Sequence, residues 1–176
     1  ALYFSYGHSN NSTNMGAFAR YVLEHLKSYG VAVEAIRHQS DNGAEFQKTR
    51  YKKELGAFET VVKSYEGAEY RTIPPRHCTW QSDVEISHRL IEDEFYCYEP
   101  LRSMQELYGK AAAYQLYFNN HRANRYKIGG KPLDILKAEL PDINPGVLNL
   151  APIRLDSLME LLAKGGYDAS DSITSN

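Results

Sequence analysis

Residues 1–7 (ALYFSYG) are aromatic or apolar at most positions and stop at a glycine, the pattern of a short β-strand. A helix is expected next. Phe18, Tyr21, Val22, His25, Leu26 and Tyr29 recur at the spacing of one helical face; Asn11, Ser12, Thr13 and Asn14 offer N-caps and Gly30 a C-terminal cap. Residues 31–36 (VAVEAI) are short and partly β-branched, and predict a second strand with Asp41 just beyond it. Phe58, Val61, Val62 and Tyr65 mark a second helix, and residues 69–73 a third strand, stopped by Pro74 and Pro75. From Asp83 the period is almost entirely helical, in two runs separated by Pro100: Val84, Ile86, Leu90, Ile91 and Phe95, then Leu101, Met104, Leu107, Ala111, Gln115 and Phe118. Gly129, Gly130 and Pro132 break the pattern before a short helix over residues 133–140. Residues 155–163 form one more amphipathic stretch, and the last ten residues are polar and expected to be disordered.

Strand, helix, strand, helix, strand is the order of an α/β layer arrangement with right-handed crossovers. The first strand has no evident sheet neighbour in the rest of the chain, so the front of the sheet is expected to lie outside it. With 176 residues, 43% hydrophobic and 24% charged, the composition is that of one globular domain and excludes disordered and fibrous classes. No run approaches the roughly 20 apolar residues that span a bilayer, and the N-terminus lacks the features of an export signal. Cys78 and Cys97 are too few for a disulfide scaffold and lack zinc-site spacing, so a cytoplasmic location is expected. The net charge of −2 means that any nucleic-acid contact must come from local patches.

Residues 40–46 (SDNGAEF) place a carboxylate at a strand's end, followed by Asn-Gly, which makes a tight turn. Such a carboxylate, Asp41, is positioned either as a metal ligand or simply as a turn residue. Residues 80–89 (WQSDVEISHR) lead from a loop with Trp80 and Gln81 into a helix whose early turn holds Glu85, with His88 and Arg89 on the same face. Taken alone, that grouping also fits a solvated, charge-paired surface.

Together, SDNGAEF after a strand and QSDVEISHRLIEDEFY opening a helix resemble the integrase-core family of insertion-sequence transposases and retroviral integrases. The resemblance continues in residues 114–124 (YQLYFNNHRAN), similar to that family's "YN..RPH/N" segment, and in residues 131–136 (KPLDIL), similar to its "TP.E.L" segment. It covers roughly residues 1–137, which it implies are the catalytic core, leaving 138–176 as a C-terminal extension.

The resemblance implies an RNase H-like fold: a mixed central sheet flanked by helices, here without its opening strands. It further implies that Asp41 and Glu85 are the second and third acids of a DDE triad, whose first Asp has no counterpart in this chain. The spacing between the two is longer than in retroviral members, with the surplus expected in residues 48–70. The implied activity is metal-dependent DNA end cleavage and strand transfer, with this chain alone inactive. Hard oxygen ligands suit Mg²⁺ or Mn²⁺, and a metal pair about 3.5–4 Å apart serves both the attacking and the leaving oxygen. The Asp41 and Glu85 carboxylates are therefore expected within about 12 Å of each other.

Double-stranded DNA, as element ends and target, is the expected partner, bound by a homo-oligomer. Arg89, His88, Gln81, Lys48, Arg50, Arg122, Arg125 and Lys127 are the candidate DNA contacts, mostly to phosphates. The alternatives are a related RNase H-like nuclease and an inactive, element-derived core kept as an interaction module.

Overall fold

The computed structural model describes residues 1–9, 11–40, 56–73, 82–124 and 130–156. Helix α1 (Ser12–Ser28) begins where the Asn11 side chain accepts the Asn14 N–H at 2.9 Å, satisfying a backbone donor that the helix itself leaves open. It ends in a Schellman turn. Gly30, at φ +80°, donates to the Lys27 carbonyl at 2.9 Å, and Val31 donates to that of Leu26 at 3.1 Å. Both ends use the caps the sequence offers. Helix α2 (Ala57–Lys63) starts hard against α1, because a Cβ on Gly16 would lie 3.0 Å from the Ala57 carbonyl. Only a glycine permits that approach.

The expected strand over residues 31–36 is displaced. Val33–Ala35 forms a 3-10 turn with Val33 buried, and the strand β2 is Arg37–Ser40. Backbone pairing, rather than β-branched composition, sets its position. β2 pairs in parallel with β3 (Glu69–Thr72), Arg37 opposite Glu69 and Ser40 opposite Thr72, with α2 in the connection between them. β2 thus ends one residue before Asp41.

The first strand is also shorter than its apolar run. β1 is Ser5–Tyr6, and it does find a neighbour in this chain: β4 (Ile153–Arg154), paired in parallel. In place of one central mixed sheet, the described residues carry two separate two-stranded ladders, both parallel. The chain is nonetheless a mixture of helices and strands in the expected alternation.

Leu2 to Tyr6 lies between two apolar clusters, and strand alternation divides its side chains between them. Leu2, Phe4 and Tyr6 join Ile91, Phe95, Ala111 and Tyr114, while Tyr3 joins Ala17, Tyr21, Leu150 and Leu155. Residues 145–156 therefore contribute to the core: Val147, Leu148, Leu150 and Leu155 are buried, where the sequence pattern suggests only an extension. The amphipathic stretch at 155–163 and the polar tail lie, beyond Asp156, outside the described residues.

Helix α3 (Ser82–Ile91) runs without interruption into a π-helical turn, Glu92–Tyr96, in which the Cys97 N–H donates to the Glu92 carbonyl at 2.9 Å. After the Pro100 break, Ser103 caps helix α4 (Met104–Asn120) by accepting the Glu106 N–H at 3.1 Å. Helix α5 (Pro132–Glu139) starts on Pro132, whose missing N–H costs nothing at a helix's first position.

Candidate functional site

α3 opens at Ser82, so Glu85 falls in its first turn, as the helical period predicts. The helix's free N–H groups and aligned peptide dipoles make that end a favourable place for a carboxylate. Glu85 is exposed, and among the described residues its carboxylate takes part in no ion pair or hydrogen bond. It is a hard oxygen donor without a protein partner there. His88 and Arg89 follow one turn later and are exposed as well. No ion pair among the described residues joins Arg89 to Glu85 or Glu92, so its guanidinium is not neutralised on its own helix.

Among the described residues, the first turns of α3 border two cavities. Val84, Ser87 and His88 look across a cavity of about 920 Å³ towards Leu2, Tyr3 and Phe18. Ile86 and Leu90 border a second cavity of about 520 Å³, closed on its other side by α5 and the end of α1. Val84 is 52% exposed and Ile86 37%, whereas Ile91 and Phe95, at the far end, are buried. α3 is held by its C-terminal end.

That end is fastened by charge. Glu94, in the π turn, accepts from Arg122 Nε at 2.7 Å and from Nη2 at 2.5 Å, and the Tyr114 hydroxyl donates to the same carboxylate at 3.1 Å. The Arg122 guanidinium also lies 5.5 Å from the centre of the Phe118 ring. The guanidinium and the Tyr114 hydroxyl hold the Glu94 carboxyl below its ordinary value, and the carboxylate in turn raises Arg122. Arg122 was expected as a phosphate contact; the structure gives it an intramolecular partner.

Of the other expected site residues, Asp41, Lys48, Arg50, Gln81, Arg125 and Lys127 lie outside the described residues. The expected approach of the Asp41 and Glu85 carboxylates falls there too. Among the described residues, no group of three His, Cys, Asp or Glu side chains is arranged to hold a metal ion. Glu85 suits Mg²⁺ or Mn²⁺ as one oxygen ligand, and a site built on it needs at least Asp41 as well. His38, on β2, has a buried Nε2 without a partner among the described residues, and burial pushes its pKa down, which favours the neutral ring.

Sequence reasoning missed Gln115, Asn119 and Glu94. Asn119 has no solvent exposure; it accepts the Leu2 N–H at 2.7 Å and donates to the carbonyls of Leu2 and Leu148 at 2.9 and 2.8 Å. Gln115, one turn earlier, accepts the Phe4 N–H at 3.1 Å and donates to the Leu150 carbonyl. The two amides thus pair with the backbone of Leu2 and Phe4, just ahead of β1, while the Phe4 carbonyl accepts the Ile153 N–H of β4. The available signal was their four-residue spacing on an otherwise apolar helical face.

Comparison with protein-family models, with curated proteins and with solved structures finds no match to this chain. Among the described residues, no helix is long and apolar enough to cross a membrane.

Proposed function

We propose that this chain is part of the catalytic core of a DNA transposase or integrase with an RNase H-like fold, and that Asp41 and Glu85 are metal-binding acids of its site. The observation that carries the reading is where the two acidic motifs fall in the chain's architecture. Asp41 is the next residue after a strand paired in parallel, and Glu85 occupies the first turn of a helix, exposed and with no partner for its carboxylate among the described residues. Open α/β sheets bind ligands outside the carboxyl ends of their strands, and a carboxylate is favoured at the amino end of a helix.

Bound Mg²⁺ or Mn²⁺ would supply the activation of a water or 3′-hydroxyl and the stabilisation of the departing oxygen at a phosphodiester. Glu85 would hold the metal together with Asp41. Arg89, one turn along the same face and free of any ion pair to Glu85 or Glu92 among the described residues, would hold a neighbouring phosphate without reading bases. The exposure of His88 beside it suits the same role. Double-stranded DNA is the substrate on this reading, engaged by more than one copy of the chain.

Mg²⁺-dependent nicking and strand transfer on DNA tests the reading in a complete catalytic core that supplies the first Asp of the triad, compared against its Asp41→Asn and Glu85→Gln variants. Each variant is expected to lose at least about a hundredfold in rate, the order that misplacing a reacting group costs. Rates equal to the parent's in both variants would dismiss it.

A further inference from the structure

From the way α3 is anchored, we infer that the Glu94–Arg122 pair is a positioning latch that sets where Glu85 stands. The inference rests on the reading of Glu85 as a metal ligand and adds residues that act through it.

Among the described residues, the burial and the ion pair that fasten α3 lie towards its C-terminal end, so that it can act as a lever. Its first turns face two cavities, the larger of which runs on along Ile91, Glu92 and Tyr96, while the continuous helical rod is clamped where Ile91 and Phe95 are buried and Glu94 is gripped by Arg122 and Tyr114. From Glu94 back to Glu85 the rod is about 13 Å long, at about 1.5 Å per residue. A tilt of about 10° at the clamp would therefore carry the Glu85 carboxylate about 2 Å, more than the 1 Å error that already costs a reacting site about a hundredfold.

The clamp also has a directional fastening that burial alone lacks. Phe95 and Tyr114 stack with ring centres 5.2 Å apart, a contact that tolerates sliding, whereas the paired N–H donors of a guanidinium meet a carboxylate in one orientation. Glu94 sits in the π turn, where the helix is already wound out of register, and Arg122 grips it from beyond the end of α4. The pair thereby fixes the rotation with which α3 leaves that turn. Arg122 comes directly after His121, the C-cap of α4, so the latch ties the lever to that long helix.

Mn²⁺ binding, followed by the loss of the free ion's paramagnetic resonance signal, tests this alongside thermal melting. The variants are Glu85→Gln, Arg122→Ala, Arg122→Lys and the exchanged pair Glu94→Arg with Arg122→Glu. Arg122→Ala is expected to weaken Mn²⁺ binding about tenfold, the lower range for residues that orient a metal ligand, although neither latch residue is itself a ligand. Arg122→Lys should recover part of the loss, and the exchanged pair more. Mn²⁺ affinity unchanged in Arg122→Ala but lost in Glu85→Gln would overturn the latch alone. Unchanged affinity in Glu85→Gln would overturn the metal-ligand reading and, with it, the latch. A loss in Arg122→Ala that neither rescue repairs, with melting lowered in step, would mean the pair only holds the fold together.

Discussion

Asn119 is a polar side chain with no exposure, and its three hydrogen bonds to the backbone of Leu2 and Leu148 offset the cost of burying it. Replacing it removes all three at once and leaves an N–H and two carbonyls without partners in the interior. Each such orphan costs about 1–3 kcal/mol, so Asn119→Leu is expected to destabilise the protein by about 3 kcal/mol or more, read from chemical denaturation. A change under about 0.5 kcal/mol would show that water replaces the amide without penalty. Tyr3 behaves in the same way: its hydroxyl donates to the Val147 carbonyl at 2.7 Å, and burial pushes its pKa up to about 12, so it remains a neutral donor. These roles were hidden in the sequence because each partner is more than a hundred residues away for Leu2–Asn119 and Tyr3–Val147.

For elements, local chemistry was legible and pairing was not. The ends of α1 follow from Asn11 and Gly30, the break after Tyr98 from Pro100, and the start of α5 from Pro132, all of which act on their own backbone neighbourhood. β2 escaped because its residues, Arg37–Ser40, are polar; the apolar run before it has the composition of a strand, yet β3 pairs with the polar residues. The junction of β1 with β4 joins the two ends of the described chain, and no periodicity reports it. The Glu94–Arg122 latch, also nonlocal, has a measurable signature in acid. Its carboxyl is held below the ordinary value of about 4.3, first by the Arg122 hydrogen bonds and then by that from Tyr114. A depressed folded-state pKa means that the stability Glu94 contributes is complete above the unfolded value and is lost as pH falls through the folded one. Melting temperature is therefore expected to drop more steeply with pH below about 4.3 in the parent than in Glu94→Gln. Parallel acid limbs would show that the pair contributes nothing in solution.

At the scale of the whole molecule, the two acidic motifs stand at ends of regular elements, and α3 is secured at its C-terminal end while its leading half spans open cavities. That arrangement suits a site whose acids are brought together by metal and DNA. The candidate site was half legible: the position of Glu85 followed from the helical period, whereas the partner of Arg122 did not, because a basic residue after a long helix reads equally as a phosphate contact and as an ion pair. The central claim is that Asp41 and Glu85 share a metal. A crystal grown with Mn²⁺ and measured at the manganese absorption edge tests that most directly. The expected result is an anomalous peak about 2.1 Å from carboxylate oxygens of both residues. Asp41 and Glu85 carboxylates more than about 12 Å apart, with no manganese at either, would contradict it.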